Sequence, residues 1–269
     1  MPELPEVETV ARQLDPLVRG RRVRALTIAD TRLRPGPGPD LGEHRVRGVR
    51  RVGKQVAIAT ASPRSEEAAH LLVHLRMTGR LLWCPEAREE LSPPVRASLD
   101  LDGGSLLFSD VRRFGTMRWS RDPEAALNGA IDPLSRKLTT RKLAAMLEGS
   151  TQPLKPWLLR QDRLVGIGNI YASEIPFAAG VSPARRVASL TPAEVQRLHR
   201  AIRRVLRQAI EACGTTFSDF QDAHGVTGTY QSMLSVYAKT GEPCARCGAT
   251  IQRRVQQQRS TYHCPACQV

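Results

Sequence analysis

Length, composition and charge narrow the possibilities first. The chain has 269 residues, enough for two compact domains or one large domain with a real core. No apolar run approaches the ~20 residues needed to cross a bilayer, and no signal-peptide pattern opens the chain, so the sequence predicts a cytosolic protein. The formal net charge is +14. Such a charge favours a polyanionic partner, with nucleic acid as the leading candidate, although membrane surfaces and acidic proteins also attract basic chains.

An amphipathic helix is predicted close to the N-terminus, because apolar residues recur at helical spacing from Val7 to Val18 and stop at Gly20. Removal of the initiator methionine would leave Pro2 at the terminus with a secondary amine in place of an amide. Such an amine can attack an electrophilic carbon and form a covalent iminium, and the neighbouring carboxylate of Glu3 can move protons. For an arbitrary protein, the alternative is that Pro2 only begins a structured terminus.

The next hundred residues are predicted to form short strands. Apolar runs separated by turn-forming Gly, Pro and Asp lie at Val23–Ile28, Val46–Val52, Val56–Ala59, Leu71–Leu75 and Leu99–Phe108. Strands at this spacing are typical of a sandwich or a barrel. Gly53 and Lys54 lie between two of the runs, which predicts that they form the tip of a hairpin.

Helices are predicted beyond a turn-rich linker at residues 121–137. A short helix capped by Thr139 or Thr140 follows the linker. A long amphipathic helix begins at the capping box Thr191–Glu194 and ends before Gly214.

A Gly-rich stretch, Gly166-Ile-Gly168-Asn169, lies between the predicted helices. It is not a dinucleotide fingerprint, because Tyr171 replaces the third glycine and no strand precedes it. A Gly-rich turn followed by a new helix instead offers bare backbone N–H groups to a phosphate.

Four cysteines are arranged as two Cys-x2-Cys pairs near the C-terminus: Cys244, Cys247, Cys264 and Cys267. In a cytosolic chain this spacing is typical of a zinc site and not of a disulfide framework. The sequence therefore predicts one Zn²⁺ ion held by four thiolates. Such a site is structural because it leaves no open coordination position.

The chain resembles bacterial formamidopyrimidine-DNA glycosylases over nearly its whole length. The strings that carry the resemblance are MPELPEVETV, RRVGKQVAI, the stretches His70–Gly79 and Ser109–Gly115, the Gly-rich turn and RSTYHCPACQ. The resemblance implies an α+β multi-domain fold. An N-terminal helix and a β-sandwich would form a catalytic domain at 1–131, a helix–two-turn–helix domain would span 132–235, and a zinc finger would span 236–269.

The resemblance also implies a function. The protein would be a bifunctional glycosylase and abasic-site lyase that removes oxidised purines, such as 8-oxoguanine and formamidopyrimidines, through an N-terminal proline Schiff base and then cuts the strand by β,δ-elimination. The implied catalytic residues are Pro2, Glu3, Lys54 and Arg259. The implied DNA-binding residues are Met77, Arg112, Phe114, Lys155 and Asn169, of which the first three would fill the space left by the extruded base. The implied partner is double-stranded DNA with a damaged base, bound by a monomer that needs no redox cofactor.

Two alternatives stay open. One is an endonuclease VIII-like enzyme for oxidised pyrimidines, against which the long polar segment Thr215–Tyr230 argues, since a matching loop covers 8-oxoguanine in the resembled family. The other is a non-catalytic protein that binds damaged DNA. Departures from the family pattern leave room for it: Arg160 stands where the family has Asp, and a basic stretch is replaced around Ser92–Val95.

Overall fold

The computed structural model describes residues 1–64, 67–85, 94–215, 223 and 228–269. They form two compact units. Unit 1 comprises Met1–Ala126 and Ala212–Gln231, and unit 2 comprises Leu127–Glu211 and Ser232–Val269. The three-part division at residues 131 and 235 stays a prediction. None of the helices in the described part of the chain combines the length and the hydropathy of a membrane span.

Unit 1 contains one helix and eight strands in its described part. They are α1 (Leu4–Val18), β1 (Val23–Ile28), β2 (Arg45–Val52), β3 (Gln55–Ala61), β4 (Ala69–His74), β5 (Gly79–Cys84), β6 (Val95–Leu101), β7 (Gly104–Asp110) and β8 (Thr116–Ser120). A 3₁₀ turn follows at Pro123–Leu127. The predicted N-terminal helix is present and starts earlier than its apolar pattern, because Leu4 and Pro5 already form its first turn.

The strands form two antiparallel four-stranded sheets, ordered β1-β6-β7-β5 and β2-β3-β4-β8. Apolar residues of both sheets and of α1 share one core, which includes Val10, Leu14, Ile58, Leu71 and Phe108. The predicted sandwich is therefore confirmed. One predicted strand was wrong in detail: the run Leu99–Phe108 is split between β6 and β7 by a turn at Asp102–Gly103, where Gly103 has φ +75°.

Unit 2 contains four helices and a two-stranded ribbon in its described part: α2 (Thr140–Leu147), α3 (Leu154–Leu158), α4 (Tyr171–Ala179), α5 (Pro192–Glu211), β9 (Gln252–Gln256) and β10 (Arg259–His263). Further 3₁₀ turns lie at Val187–Ser189 in unit 2 and at Tyr230–Met233. The predicted caps are confirmed. The hydroxyl of Thr139 accepts from Lys142 N at 3.1 Å, and Glu194 Oε2 accepts from Thr191 N at 2.7 Å.

The ribbon packs on α4 through a small core of its own, formed by Phe177, Val236, Cys244, Ile251 and Cys264. The buried carboxylate of Glu174 on α4 accepts the backbone N–H groups of residues 235–237 at 2.8–2.9 Å. Burial raises the pKa of Glu174, while the three N–H donors oppose that rise. The segment that leads into the ribbon is therefore anchored to α4.

Candidate functional site

The first residues of the chain lie against the core of unit 1. Pro2 and Glu3 are buried at the head of α1. Glu6, one helical turn further on, is also buried, and its two carboxylate oxygens accept the N–H groups of Glu3 and Thr215, each at 2.8 Å. A hydrogen bond to a charged acceptor is stronger than one between neutral groups. Glu6 thus fixes the backbone beside Pro2 and ties it to the first residue of the segment 215–230.

Lys54 lies at the tip of the predicted hairpin, which is confirmed: Val52 pairs with Gln55, and Gly53 has φ +61°. The Lys54 side chain is buried. Arg51 connects this tip to α1, because its guanidinium donates to Gly53 O at 3.1 Å and to Glu8 Oε2 at 2.9 Å. The N-terminal part of α1 and the lysine tip are therefore held together by one buried arginine.

Strand register brings further predicted residues to the same end of the sandwich. The pairs that mark this end are His74 with Gln55, His74 with Thr116, and Gly79 with Asp110. The turn 75–78 and the loop 111–115 each cross from one sheet to the other here. Lys54, Met77 and Arg112, which are far apart in the sequence, are thus carried by neighbouring connections of one unit.

His74, the last residue of β4, was not among the predicted site residues. Its Nδ1 accepts from Arg76 N at 3.0 Å, so the proton of the neutral ring resides on Nε2. Burial lowers the pKa of His74 to about 4, helped by the charges of Arg76 and Lys54. His74 is therefore neutral at physiological pH and lies within the field of Lys54. Strand register could have pointed to His74, because its partner on β3 is Gln55, the residue after Lys54.

Three predicted residues protrude from this end: Met77 is 40% exposed, Phe114 is 51% exposed, and Arg112 is also exposed. The exposure of Met77 and Phe114 leaves both apolar side chains available for the predicted insertion into DNA. The Arg112 guanidinium carbon lies 4.8 Å from the centroid of the Phe114 ring, a cation–π distance. The arginine and the aromatic ring therefore project together as one wedge, which we define as Arg112 and Phe114.

The turn 75–78, which we call the Met77 turn, and the loop 111–115, which we call the wedge loop, share one buried carboxylate. Asp110 Oδ1 accepts from the hydroxyl of Thr78, and its Oδ2 accepts from Gly115 N at 2.7 Å. The same hydroxyl oxygen of Thr78 accepts from Arg112 N at 3.1 Å. The shape of one connection thus depends on that of the other.

In unit 2, the predicted Gly-rich turn lies between α3 and α4. Gln161 shapes it, since its amide donates to Ile167 O at 2.9 Å and accepts from Gly166 N at 3.0 Å. Asn169 follows at the head of α4, and its buried Oδ1 has no hydrogen-bond partner among the described residues. A buried polar atom without a partner is uncommon in a folded protein and is often explained by a ligand or water. Asn169 therefore suits the predicted contact to DNA.

Arg160, which departs from the family pattern, has a local partner. Its guanidinium donates to both carboxylate oxygens of Asp162, with Nε at 2.9 Å from Oδ1, and to Gln152 Oε1 at 3.3 Å. The fork from Arg160 lowers the pKa of Asp162. An acidic group thus remains next to Gln161, supplied two residues after the usual position.

The four paired cysteines converge as predicted. Their sulfur atoms all lie within 4.8 Å of one another, with Cys244 and Cys267 at 3.9 Å and Cys247 and Cys264 at 3.4 Å. A tetrahedral site with Zn–S bonds of about 2.3 Å has sulfur atoms about 3.8 Å apart. The cluster therefore fits one zinc ion. Arg259, the first residue of β10, lies exposed beside the ribbon's two-residue tip.

Sequence models of three known domains match the chain: the formamidopyrimidine-DNA glycosylase N-terminal domain over residues 1–117, the H2TH domain of the same enzyme over 130–221, and the zinc finger found in FPG and IleRS over 241–269. The formamidopyrimidine-DNA glycosylase of Chloroflexus aurantiacus is 41% identical over all of this chain and 98% of the relative. The chain belongs to the formamidopyrimidine-DNA glycosylase family. It is thus a DNA glycosylase of base-excision repair with a four-cysteine zinc finger.

Two solved structures of this family have the same fold. The crystal structure of MutM (Fpg) from Thermus thermophilus is 39% identical, with a TM-score of 0.84, and covers 99% of this chain and 98% of its own. The Lactococcus lactis Fpg in complex with DNA containing an abasic site is 30% identical, with a TM-score of 0.86 and 99% coverage of both chains. The predicted α+β fold with a sandwich, a helix–two-turn–helix motif and a zinc ribbon is therefore confirmed.

Lys155 is placed differently from the other predicted DNA-binding residues of this glycosylase. Its side chain is fully buried, and its ammonium group donates to Ser173 Oγ at 3.0 Å and to the carbonyl of Ser260. Ser260 directly follows Arg259 on β10. Lys155 thus supports the ribbon from within unit 2 and does not reach the surface.

The predicted residues of the glycosylase fall into two groups. Unit 1 carries Pro2, Glu3, Lys54, Met77, Arg112 and Phe114, and unit 2 carries Lys155, Asn169, Arg259 and the cysteines. Support from Glu6, Arg51 and Asp110 was not predicted. Their contacts with Thr215, Glu8 and Thr78 join residues from distant parts of the sequence. The predicted cover for a damaged base, Thr215–Tyr230, lies largely outside the described residues, as do Ser92 and Pro93 of the replaced stretch Ser92–Val95.

Proposed function

We propose that this glycosylase excises oxidised purines, such as 8-oxoguanine and formamidopyrimidines, from double-stranded DNA and then cuts the strand at the resulting abasic site. The observation that carries the proposal is the set of contacts in unit 1 that hold the head of α1, the Lys54 tip and the wedge loop in place. They are hydrogen bonds, strand pairs and charge interactions between named residues.

The first chemical step belongs to Pro2 once Met1 has been removed. Its secondary amine attacks C1′ of the damaged nucleotide, the glycosidic bond breaks, and the base leaves with the bonding electrons. Opening of the sugar then gives an iminium between Pro2 and C1′. Glu3, fixed beside it by the Glu6 carboxylate, moves the protons that these steps need.

Strand cleavage follows from the iminium, which acidifies the adjacent C2′. Loss of that proton expels the 3′ phosphate by β-elimination, and a second elimination expels the 5′ phosphate. Lys54 and Arg259 contribute positive charge to the phosphates and can donate protons to the leaving oxygens. Neutral His74 contributes an Nε2–H donor near Lys54 without adding charge.

Base extrusion is the role of the exposed residues. The sugar carbon is not accessible while the base is stacked, so the nucleotide has to leave the helix. Met77 and the wedge fill the space that it leaves. Phe114 unstacks a base step, and Arg112 donates to the edge of the unpaired opposite base.

Unit 2 contributes affinity for the backbone. Asn169, at the end of the Gly-rich turn, faces a phosphate, and Arg259 on the ribbon faces another. Lys155 acts indirectly by holding Ser260 next to Arg259. The enzyme works as a monomer, and we place it in the bacterial cytoplasm, on the nucleoid while it is bound to DNA.

Borohydride trapping tests this function. The purified protein, shown by mass spectrometry to begin at Pro2, is incubated with one duplex containing 8-oxoguanine opposite cytosine and another containing an abasic site. We expect a covalent complex on both duplexes, and none with Pro2→Gly or with a form that retains one residue before Pro2, although this form still binds DNA.

Other outcomes would redirect the assignment. Trapping on the abasic duplex alone would support the lyase but overturn the choice of lesion, and oxidised pyrimidines would be tried next. Binding without any trapped complex, from protein that begins at Pro2, would favour the non-catalytic alternative. Full activity of a protein with an acylated Pro2 would overturn the nucleophile.

A further inference from the structure

Arg113 lies between the two wedge residues but makes a different contact. While Arg112 and Phe114 project together, the Arg113 guanidinium donates to both oxygens of Asp30, with Nε at 2.6 Å from Oδ2 and Nη2 at 2.5 Å from Oδ1. Asp30 is 83 positions earlier in the chain. The residue between the wedge residues is thus tied back to the sandwich.

Asp30 binds this arginine from a fixed position within unit 1. Its carboxylate is buried, and its Oδ1 also accepts from Arg32 N at 3.0 Å. The hydrogen bonds from Arg113 and from Arg32 N hold the pKa of Asp30 well below its usual range. A buried carboxylate is strongly disfavoured without cationic partners. Arg113 is the nearer of the two that Asp30 has among the described residues, since Arg96 Nε lies 4.0 Å from Oδ2.

The backbone of the loop depends on this pair. Arg113 has φ +58°, in the left-handed region that residues other than glycine rarely adopt. Residues kept in this region persist only where their surroundings impose it, and they cluster at functional sites. An extended strand would already place Arg112 and Phe114 on one face and Arg113 on the other. The left-handed conformation adds a bend between the two wedge residues, at the residue that Asp30 holds.

The C-terminal side of the loop has no freedom to compensate. A Cβ added to Gly115 would lie 2.4 Å from Phe108 Cζ, and Gly115 N is held by Asp110. The wedge loop is therefore held in its middle by the Asp30 carboxylate and at its C-terminal end by the Asp110 carboxylate.

We infer that Asp30 and Arg113 are positioning residues for base extrusion, because their ion pair fixes the loop backbone so that Arg112 and Phe114 enter the duplex as one preformed wedge. The inference rests on the proposed function, since it assigns a role within base extrusion. Neither Asp30 nor Arg113 touches the reacting atoms in this role. Activity on a substrate that needs no extrusion should therefore not depend on the pair.

The experiment compares two substrates with three variants. The duplex with 8-oxoguanine opposite cytosine needs extrusion, whereas a single-stranded oligonucleotide with an abasic site does not. Arg113→Gly removes the tether, and glycine accepts the positive φ, so this variant is expected to fold. Asp30→Asn weakens the pair but keeps Arg113, and Asp102→Asn is a matched control that removes an exposed pair with Arg24, where Asp102 Oδ1 lies 2.9 Å from Nε.

We expect kcat/KM on the lesion duplex to fall about 10- to 100-fold in Arg113→Gly and about tenfold in Asp30→Asn, as misplacement of a positioned group does. Cleavage of the single-stranded abasic substrate should stay within about twofold, as should both activities of Asp102→Asn. In an Arg112→Ala/Phe114→Ala background, Asp30→Asn should have less than about a twofold further effect, because coupled residues are not additive.

Three results would overturn the inference. One is full activity of Arg113→Gly on the lesion duplex. Another is tighter binding and faster excision by Asp30→Asn, which would make Arg113 a phosphate ligand that Asp30 restrains. The third is an equal loss on both substrates, which would indicate a general structural role. Failure of the wild-type protein to cut either substrate would instead contradict the proposed function.

Discussion

Two exposed tips of the molecule are supported in different ways. The wedge loop of unit 1, residues 111–115, rests on buried carboxylates, Asp30 and Asp110, which bind its side chain and backbone. The ribbon tip of unit 2, next to Arg259, rests on four cysteines and on the buried ammonium of Lys155. Exposed residues that meet a ligand have few contacts of their own, so buried charged or metal-binding groups beneath them set their position. Because the two supports differ, each can be removed separately.

The largest effect is expected from loss of the metal. Cys247→Ser, or a strong chelator, should unfold the ribbon, since structural zinc contributes about 10–16 kcal/mol of apparent binding free energy in zinc-finger peptides. DNA binding and strand cleavage should be lost, while unit 1 stays folded. Zinc content, circular dichroism and gel-shift titration measure this. Cys84→Ser, outside the cluster, is the matched control, and cleavage at the wild-type rate by metal-free protein would contradict the role of the ribbon.

The second prediction concerns the pH dependence of stability in unit 1, which His74 should change. Burial lowers the pKa of His74 to about 4 from 6.5, so the folded state prefers the neutral ring. This contribution to stability is complete above pH 6.5 and is lost as pH falls toward 4, by roughly 2–3 kcal/mol between pH 7 and 4. His74→Gln should therefore lose less stability on acidification than the wild type.

Urea unfolding at several pH values measures this difference. A Trp157→Phe background leaves Trp83 and Trp119, both in unit 1, as the fluorescent reporters. The same pH dependence in wild type and His74→Gln would show that His74 is not the responsible group.

A third prediction tests the ribbon's second support. Lys155→Met keeps the volume of the side chain but leaves the Ser260 carbonyl without its ammonium donor. An unsatisfied buried acceptor costs about 1–3 kcal/mol, so the ribbon should loosen without losing zinc. Hydrogen exchange of the amides at 259–263 should become faster, and strand cleavage should slow through Arg259. Lys142→Met, on the exposed face of α2, is the control, and unchanged exchange in Lys155→Met would contradict this role.

The sequence predicts the parts of this fold that depend on local patterns. The amphipathic helices, the Lys54 hairpin, the helix caps and the cysteine pairs repeat or end within a few residues, so their spacing is enough. Strands β5 and β8 were not predicted, and both gain their stability from strands elsewhere in the chain: β5 pairs with β7, and β8 pairs with β4.

The site shows the same boundary between local and long-range information. Pro2, Arg112 and Phe114 could be predicted because they belong to strings that are specific to one family. The burial of Lys155 and the pair between Asp30 and Arg113 were not found, because they join positions tens of residues apart and depend on register. In the sequence alone, Lys155, Asp30 and Arg113 do not differ from other charged residues.

The smallest effect is expected when the link between the wedge loop and the Met77 turn is removed. Thr78→Val is nearly isosteric and removes the hydroxyl that donates to Asp110 and accepts from Arg112 N. The lost hydrogen bonds should cost about 1–2 kcal/mol of stability in unit 1. Because the hydroxyl joins the Met77 turn to the wedge loop, excision of 8-oxoguanine should fall more than stability requires, while single-stranded abasic cleavage is kept. Thr78→Ser should restore both the stability of unit 1 and the excision of 8-oxoguanine, since it retains the hydroxyl. If Thr78→Ser behaved like Thr78→Val, the methyl group and not the hydroxyl would be the link, and the wedge would depend on packing as well as on buried carboxylates.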